Sequence, residues 1–208
     1  MPPVVPEAAP AGLPSIDETE GVDLGGTLRG TVLSIIGLVG VLAGIGFLLY
    51  DELVAAGGWF VDIFGAGGVG LAFAILDCIF LPIPHDTFLG LGLAGGLTLW
   101  EVSVAGSLGS LVGGAAGFLL ARKVAARPRF QKVLATRGRK AYLIVRKYGT
   151  LGVAIGALSP LPYTMCAWAA GALDMDFRRF LMVSLLRIPR VVFYAWLIER
   201  SLRVAGGG

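Results

Sequence analysis

The chain has 208 residues, of which 56% are hydrophobic and only 15% charged. A soluble domain carries nearer a quarter charged residues, so this chain lacks the polar surface to cover a globule of its size. Its net charge of +3 is the sum of opposed blocks and by itself marks no class of partner. The 32 glycines suit close helix packing and interrupted helices in lipid. The composition is that of an all-α integral membrane protein.

Residues 1–28 hold five acids (Glu7, Asp17, Glu18, Glu20, Asp23), no Lys or Arg, and several prolines. They read as a disordered acidic tail. No basic n-region and no apolar run stand before residue 30, so no cleavable signal is expected. From 29 to 200 the chain reads as a single transmembrane domain. The first span is 30–50, 21 uncharged residues between Arg29 and Asp51, enough for one crossing of a ~30 Å hydrocarbon layer. The stretch Asp51 to Asp62, with Trp59 and Phe60, resembles an interfacial helix.

Two stretches depart from simple spans. Residues 63–76 and 87–100 are each 14 uncharged residues, too short to cross, and they flank Asp77 and FLPIPHD. Residues 148–173 are 26 uncharged residues cut by Pro160 and Pro162. Proline inside a helix removes a hydrogen bond and clashes with the preceding turn. The expectation is two re-entrant hairpins, about 64–98 and 148–175, broken at Pro82/Pro84 and at Pro160/Pro162. Ordinary proline-kinked spans are the other reading. The hairpins also resemble one another, LPIPHDTFLGLGLAG against SPLPYTMCAWAAG, as the two halves of an inverted repeat would. One more clean span follows, 102–121, and a last candidate, about 178–198, carries Arg187, Pro189 and Arg190 in its middle, giving three to four membrane-spanning helices in all, with a tail from 201 to 208.

Between the hairpins, 122–147 carries ten basic residues and no acid. Placed between apolar spans, this is a positive-inside signal more than a nucleic-acid surface, and it makes the segment cytoplasmic. No nucleic-acid partner is expected. The protein would then sit in the cell (inner, cytoplasmic) membrane as a multi-pass protein.

The residues able to carry chemistry lie at the breaks. Asp77, His85 and Asp86 bracket the first. A carboxylate at membrane depth is costly and points to function, although Asp86 can equally serve as an N-cap of the following half-helix. His85 is either a proton relay or a water-exposed turn residue. In the last span, Arg187 and Arg190 share a helix face with Ser184 and Tyr194. Arginine there can hold a carboxylate or phosphate bidentately, or snorkel to an interface. Gly109, Gly113 and Gly117 form a small-xxx-small packing pattern. Gly65-Ala-Gly67-Gly68-Val-Gly70 spells the dinucleotide fingerprint, but with no strand before it the match has no meaning. Cys78 and Cys166 are small hydrophobes, not a disulfide. One histidine and two separated cysteines make no metal site, no cofactor is expected, and no nucleophile–base pair suggests an enzyme.

At these residues the chain resembles the DedA family, within the VTT (SNARE-associated) superfamily of membrane proteins, over about residues 50–197. LDCIFLPIPHDTFLGLGLAGG matches its first hairpin, with Asp77 and Asp86 where Glu is commoner. GSLVGGAAGFLLAR matches the following span, with Gly114 in place of an Asp and Ala121 in place of a Gly. RKYGTLGVAIGALSPLPYTMCAWAAGALDMDFRRF matches the second hairpin, with Ala157 and Tyr163 where the family has arginines. The chain is thus similar to a divergent member, nearer the YqaA-like branch. Arg187 and Arg190 are placed to restore the lost charge from a neighbouring helix. The resemblance implies a flippase or scramblase of undecaprenyl phosphate or phospholipid, with protons as candidate coupling ions. Its candidate substrate-binding and proton-coupling residues are Asp77, His85, Asp86, Arg187, Arg190 and Tyr163. A small-solute or ion secondary transporter and a non-catalytic membrane scaffold are the alternatives, and a homo-oligomer stays open.

Overall fold

A computed structural model describes residues 33, 37, 50–79, 83–158 and 163–206. The acidic tail, most of the 30–50 span, and Pro82, Pro160 and Pro162 lie outside the described residues. What is described is helical: α1 Tyr50–Cys78, α2 Asp86–Ala94, α3 Leu99–Val124, α4 Pro128–Thr136, α5 Arg139–Tyr148, α6 Thr150–Leu158, α7 Tyr163–Ala172, α8 Phe177–Ser184 and α9 Arg187–Ala205. Three stretches are long and apolar enough to cross a membrane: Tyr50–Cys78, Leu99–Val124 and the α8–α9 pair, Phe177–Ala205.

α3 is the axis of the molecule. Thr98 and Glu101 start it with a reciprocal capping box, in which the Thr98 hydroxyl accepts from the Glu101 amide and the Glu101 carboxylate accepts from the Thr98 amide. Its small residues then set the distance to α1. A Cβ added at Gly109 would overlap the Gly70 carbonyl, and one at Gly113 would overlap the Ala74 carbonyl. The small-xxx-small pattern therefore does what its spacing predicts: it lets backbones touch. Gly117 comes against the Asp77 and Cys78 carbonyls, so α1 and α3 ascend side by side in the same direction.

α1 is longer than expected, because the segment expected at the interface and the first hairpin arm join into one helix. The join is broken at Gly65, whose φ of 55° and ψ of −157° are non-helical. Only glycine occupies that region at low cost. Beyond the break between α1 and α2, the chain returns antiparallel: the Phe73 and His85 rings meet at a tilt at one end, while Gly57 meets Leu91 and Gly95 at the other.

The second half packs on the opposite end of α3. Tyr163 lies on Gly114, Trp168 on Gly117, and Gly171 on the Phe118 carbonyl. α6 leads down to the second break and α7 climbs away from it, with Gly156 against Cys166. The basic segment 122–147 folds into α4 and α5, with Ala141 to Arg146 of α5 buried.

The last span departs from expectation. It is two helices, α8 and α9, because Pro189 has no N–H to offer the Leu185 carbonyl. The chain crosses 185–186 on tighter i→i+3 bonds, Leu186 N–H to Val183 O and Ile188 N–H to Leu185 O. α9 also continues to Ala205, through most of what reads in sequence as a tail.

Two hydrophobic cores result. One, at the C-terminal end of α3, gathers Phe118, Leu134, Tyr142, Val153, Tyr163 and Phe180. The other, at its N-terminal end, gathers Phe60, Val69, Phe73, Leu89, Val102 and Val191. The end of α1, the start of α7 and the α8–α9 junction lie between them, close to one level of α3.

Candidate functional site

That level holds a buried polar cluster. Asp77, in the last turn of α1, is fully buried, and Arg187, the first residue of α9, is 4% exposed. The Arg187 Nη2 donates to Asp77 Oδ2 at 2.7 Å, and its Nε donates to the Ser110 hydroxyl at 2.6 Å. Ser110 in turn donates to the same Asp77 oxygen at 2.5 Å. The three groups close a ring from three helices. The Arg187 guanidinium also lies 4.2 Å from the centre of the Tyr163 ring, a cation–π contact strengthened by burial. The Tyr163 hydroxyl donates to Ser184 at 2.6 Å, and Ser184 donates to the Phe180 carbonyl at 2.8 Å.

The other Asp77 oxygen is different. Oδ1 lies 2.9 Å from His85 Nε2, an ion-pair contact when the imidazole is protonated, and neither atom has another side-chain partner among the described residues. The His85 side chain is 26% exposed, so it stands between the buried carboxylate and the outside of the break.

The end of α1 is satisfied by the second half of the chain. A helix leaves its last four carbonyls without intrahelical donors. At the end of α1, Thr164 donates to the Leu76 carbonyl at 3.1 Å, and Trp168 donates to the Cys78 carbonyl at 3.0 Å. Both donors come from α7, one turn apart, so α7 caps the end of α1.

Of the sequence-predicted residues, the fold brings Asp77, His85, Tyr163 and Arg187 together. Asp86 and Arg190 sit one step outside. Asp86 is not the N-cap: His85 holds that position, with helical backbone and no side-chain cap, and Asp86 is the first residue of α2. Arg190 is half-buried, 5.2 Å from the centre of the Tyr194 ring, with Nη1 3.5 Å from the Ala157 carbonyl and within electrostatic reach of Asp86 and Asp77. The polar face of the last span is kept across its break, since Ser184, Arg187 and Tyr194 are all buried. Pro84 is exposed beside the first break; the other three break prolines are outside the described residues.

Sequence reasoning missed Ser110, Ser184 in its link to Tyr163, Thr164 and Trp168. Ser110 left a signal. It closes the series Ser103, Ser107, Ser110 on an apolar span, a polar stripe at helical spacing. Thr164 and Trp168 left none, because they bond carbonyls almost ninety positions away in the chain.

Comparison with known proteins agrees with this architecture. The VTT domain pattern matches residues 83–200. An uncharacterized protein of Methanocaldococcus jannaschii is 26% identical over 108 residues, covering 52% of this chain and 68% of the relative. No solved structure matches. With the family pattern spanning more than half of the chain and three apolar helices of crossing length, the chain belongs to the VTT-domain, DedA-type family of multi-pass membrane proteins.

Proposed function

We propose that the protein moves a lipid phosphate, undecaprenyl phosphate or a phospholipid, across the cytoplasmic membrane as a flippase or scramblase, without catalysing a covalent step. The observation that carries the reading is the meeting of the end of α1, the start of α7 and the α8–α9 junction on one buried acid–arginine cluster. In this reading the α1–α2 and α6–α7 pairs are re-entrant hairpins entering from opposite faces, and the level of Asp77 is the middle of the bilayer. Irregular backbone at that depth persists only where protein or water satisfies it, which Thr164 and Trp168 do for the end of α1.

The chemistry follows from what is paired. Asp77 fixes the Arg187 guanidinium and offsets its charge, so Arg187 is held ready instead of waiting bare. An arriving phosphate competes with Asp77 for a fork that suits either anion. Arg190, half-buried and within electrostatic reach of Asp86, meets the phosphate first. Asp77 then accepts a proton as it loses Arg187, with His85 the neighbouring group able to deliver it. That exchange couples lipid movement to protons.

A second reading has its own observation. The Arg187 donors are already engaged with Asp77 and Ser110, as they would be in a scaffold whose cluster only holds two halves together. Reconstitution into liposomes with fluorescent lipid phosphates of varied tail and head group separates the two. Transport predicts lipid movement faster than in protein-free liposomes and lost in Arg190→Ala, which leaves the Asp77–Arg187 pair intact. No acceleration for any lipid phosphate, from protein that is folded, refutes the transport reading. Flux of a small solute in its place favours a solute transporter on the same framework.

A further inference from the structure

α3 carries two buried hydroxyls that the cluster does not use. Ser103 is 2% exposed and Ser107 is 6% exposed, and neither Oγ has a hydrogen-bond partner. A serine inside a helix ordinarily bonds the carbonyl one turn back or turns to solvent; these do neither. They stand one turn apart, and Ser110 follows one turn later, so the three hydroxyls share one face of α3 and climb it at about 5–6 Å per step. The top of the row is Ser110, bonded to both Asp77 and Arg187. The bottom lies near the start of α3, at the end where α1 begins and α9 finishes.

We propose that the Ser103–Ser107–Ser110 face is a hydrated path, holding bound water and passing protons between Asp77 and the N-terminal end of α3. Buried polar groups without protein partners are the usual hosts of internal water, which needs two or more such groups to stay. A hydroxyl accepts and donates at once, so a row of them with intervening water forms a chain along which protons move. No cation along the row need be lost for this to work. The charged and titratable groups around its upper end are Asp77 of α1, His85 and Asp86 at the first break, Tyr163 of α7, and Arg187, Arg190 and Tyr194 of α9. The path holds whichever cargo the cluster moves, and it gives Asp77 a second route to water beside His85, reaching Oδ2 through Ser110 while His85 stands at Oδ1.

The test uses the full-length chain in proteoliposomes with Cys78 and Cys166 replaced by Ala. Single cysteines at Ser103 and Ser107 are exposed to a small cationic methanethiosulfonate reagent, with Leu108→Cys and Val112→Cys as controls on the outward face of the same helix. The reagent attacks thiolates, which form only where water reaches, so the two serine positions should react roughly tenfold faster than the controls. Thermal unfolding of Ser103→Ala and Ser107→Ala gives an independent reading. In a dry contact, deleting an unpaired hydroxyl relieves a cost and raises Tm. On a hydrated path it removes bonded partners and leaves Tm unchanged or lower, while Ser103→Thr and Ser107→Thr, which keep the hydroxyl, match the parent. Thiols as slow as the controls in a folded protein, or a raised Tm in either alanine variant, overturns the proposal.

Discussion

The Asp77–Arg187 pair sets the energetics at the scale of single residues. Both charges are almost fully withdrawn from solvent, so neither is tolerable alone. Removing one partner of a buried pair costs about 3–5 kcal/mol, because the other is left uncompensated. Asp77→Ala and Arg187→Ala are each expected to lower Tm sharply and to reduce the yield of monodisperse protein. The double variant Asp77→Ala with Arg187→Ala should recover most of that loss while staying inactive in lipid transport. A double variant no more stable than the singles, followed by size-exclusion chromatography and thermal unfolding, contradicts a buried pair. Arg187→Lys keeps the charge but not the fork that spans Asp77 and Ser110, so it should fall between parent and alanine. Much of this cluster was visible in sequence: an acid, a histidine and an arginine at membrane depth are costly enough to stand out. That the arginines could pair with Asp77 or Asp86 is a rival reading the sequence allows; which arginine takes which acid is not visible, since Asp77 and Arg187 stand 110 positions apart.

Among the elements, the interruptions are made by different chemistry. Pro189 breaks α8 from α9 by a missing donor, and proline is legible in any sequence. Gly65 breaks α1 by a backbone conformation, and in a chain with 32 glycines nothing singles it out. The same fact makes it testable. Gly65→Ala forces a Cβ into a region costing on the order of 1–3 kcal/mol and should lower Tm. Gly67→Ala, two residues on, is exposed, helical and meets nothing within 4 Å. It should raise stability by about 0.5–1 kcal/mol through the lost freedom of the unfolded chain. Equal effects at the two positions would mean that α1 runs straight through. Helix ends were less legible than helix existence: α9 gains an extra turn at Ala205 because nothing in SLRVA stops it before Gly206.

For the whole molecule, orientation is the property that sequence states most directly and packing states least. Seven exposed cations on and around α4 (Lys123, Arg127, Arg129, Lys132, Arg137, Arg139, Lys140) gather at one end of α3, with no acid between residues 122 and 147. That end should face the cytoplasm, where anionic lipid attracts it. A cysteine at Thr136, which is exposed, should resist an impermeant maleimide in intact cells and react once the membrane is opened. Labelling from outside would invert the topology. The two cores at opposite ends of α3 have a mechanical consequence. Among the described residues α1 ends and α9 begins at the level of Ser110 while α3 runs through it, so α3 is a beam and the ion pair is its fulcrum. By helix rise, the fulcrum lies roughly 16 Å from one end of the beam and roughly 21 Å from the other. A tilt of about 10° there would swing the two ends by some ~3–4 Å, wide enough to part side chains at either face. The Asp77–Arg187 contact, at zero lever arm, would scarcely lengthen.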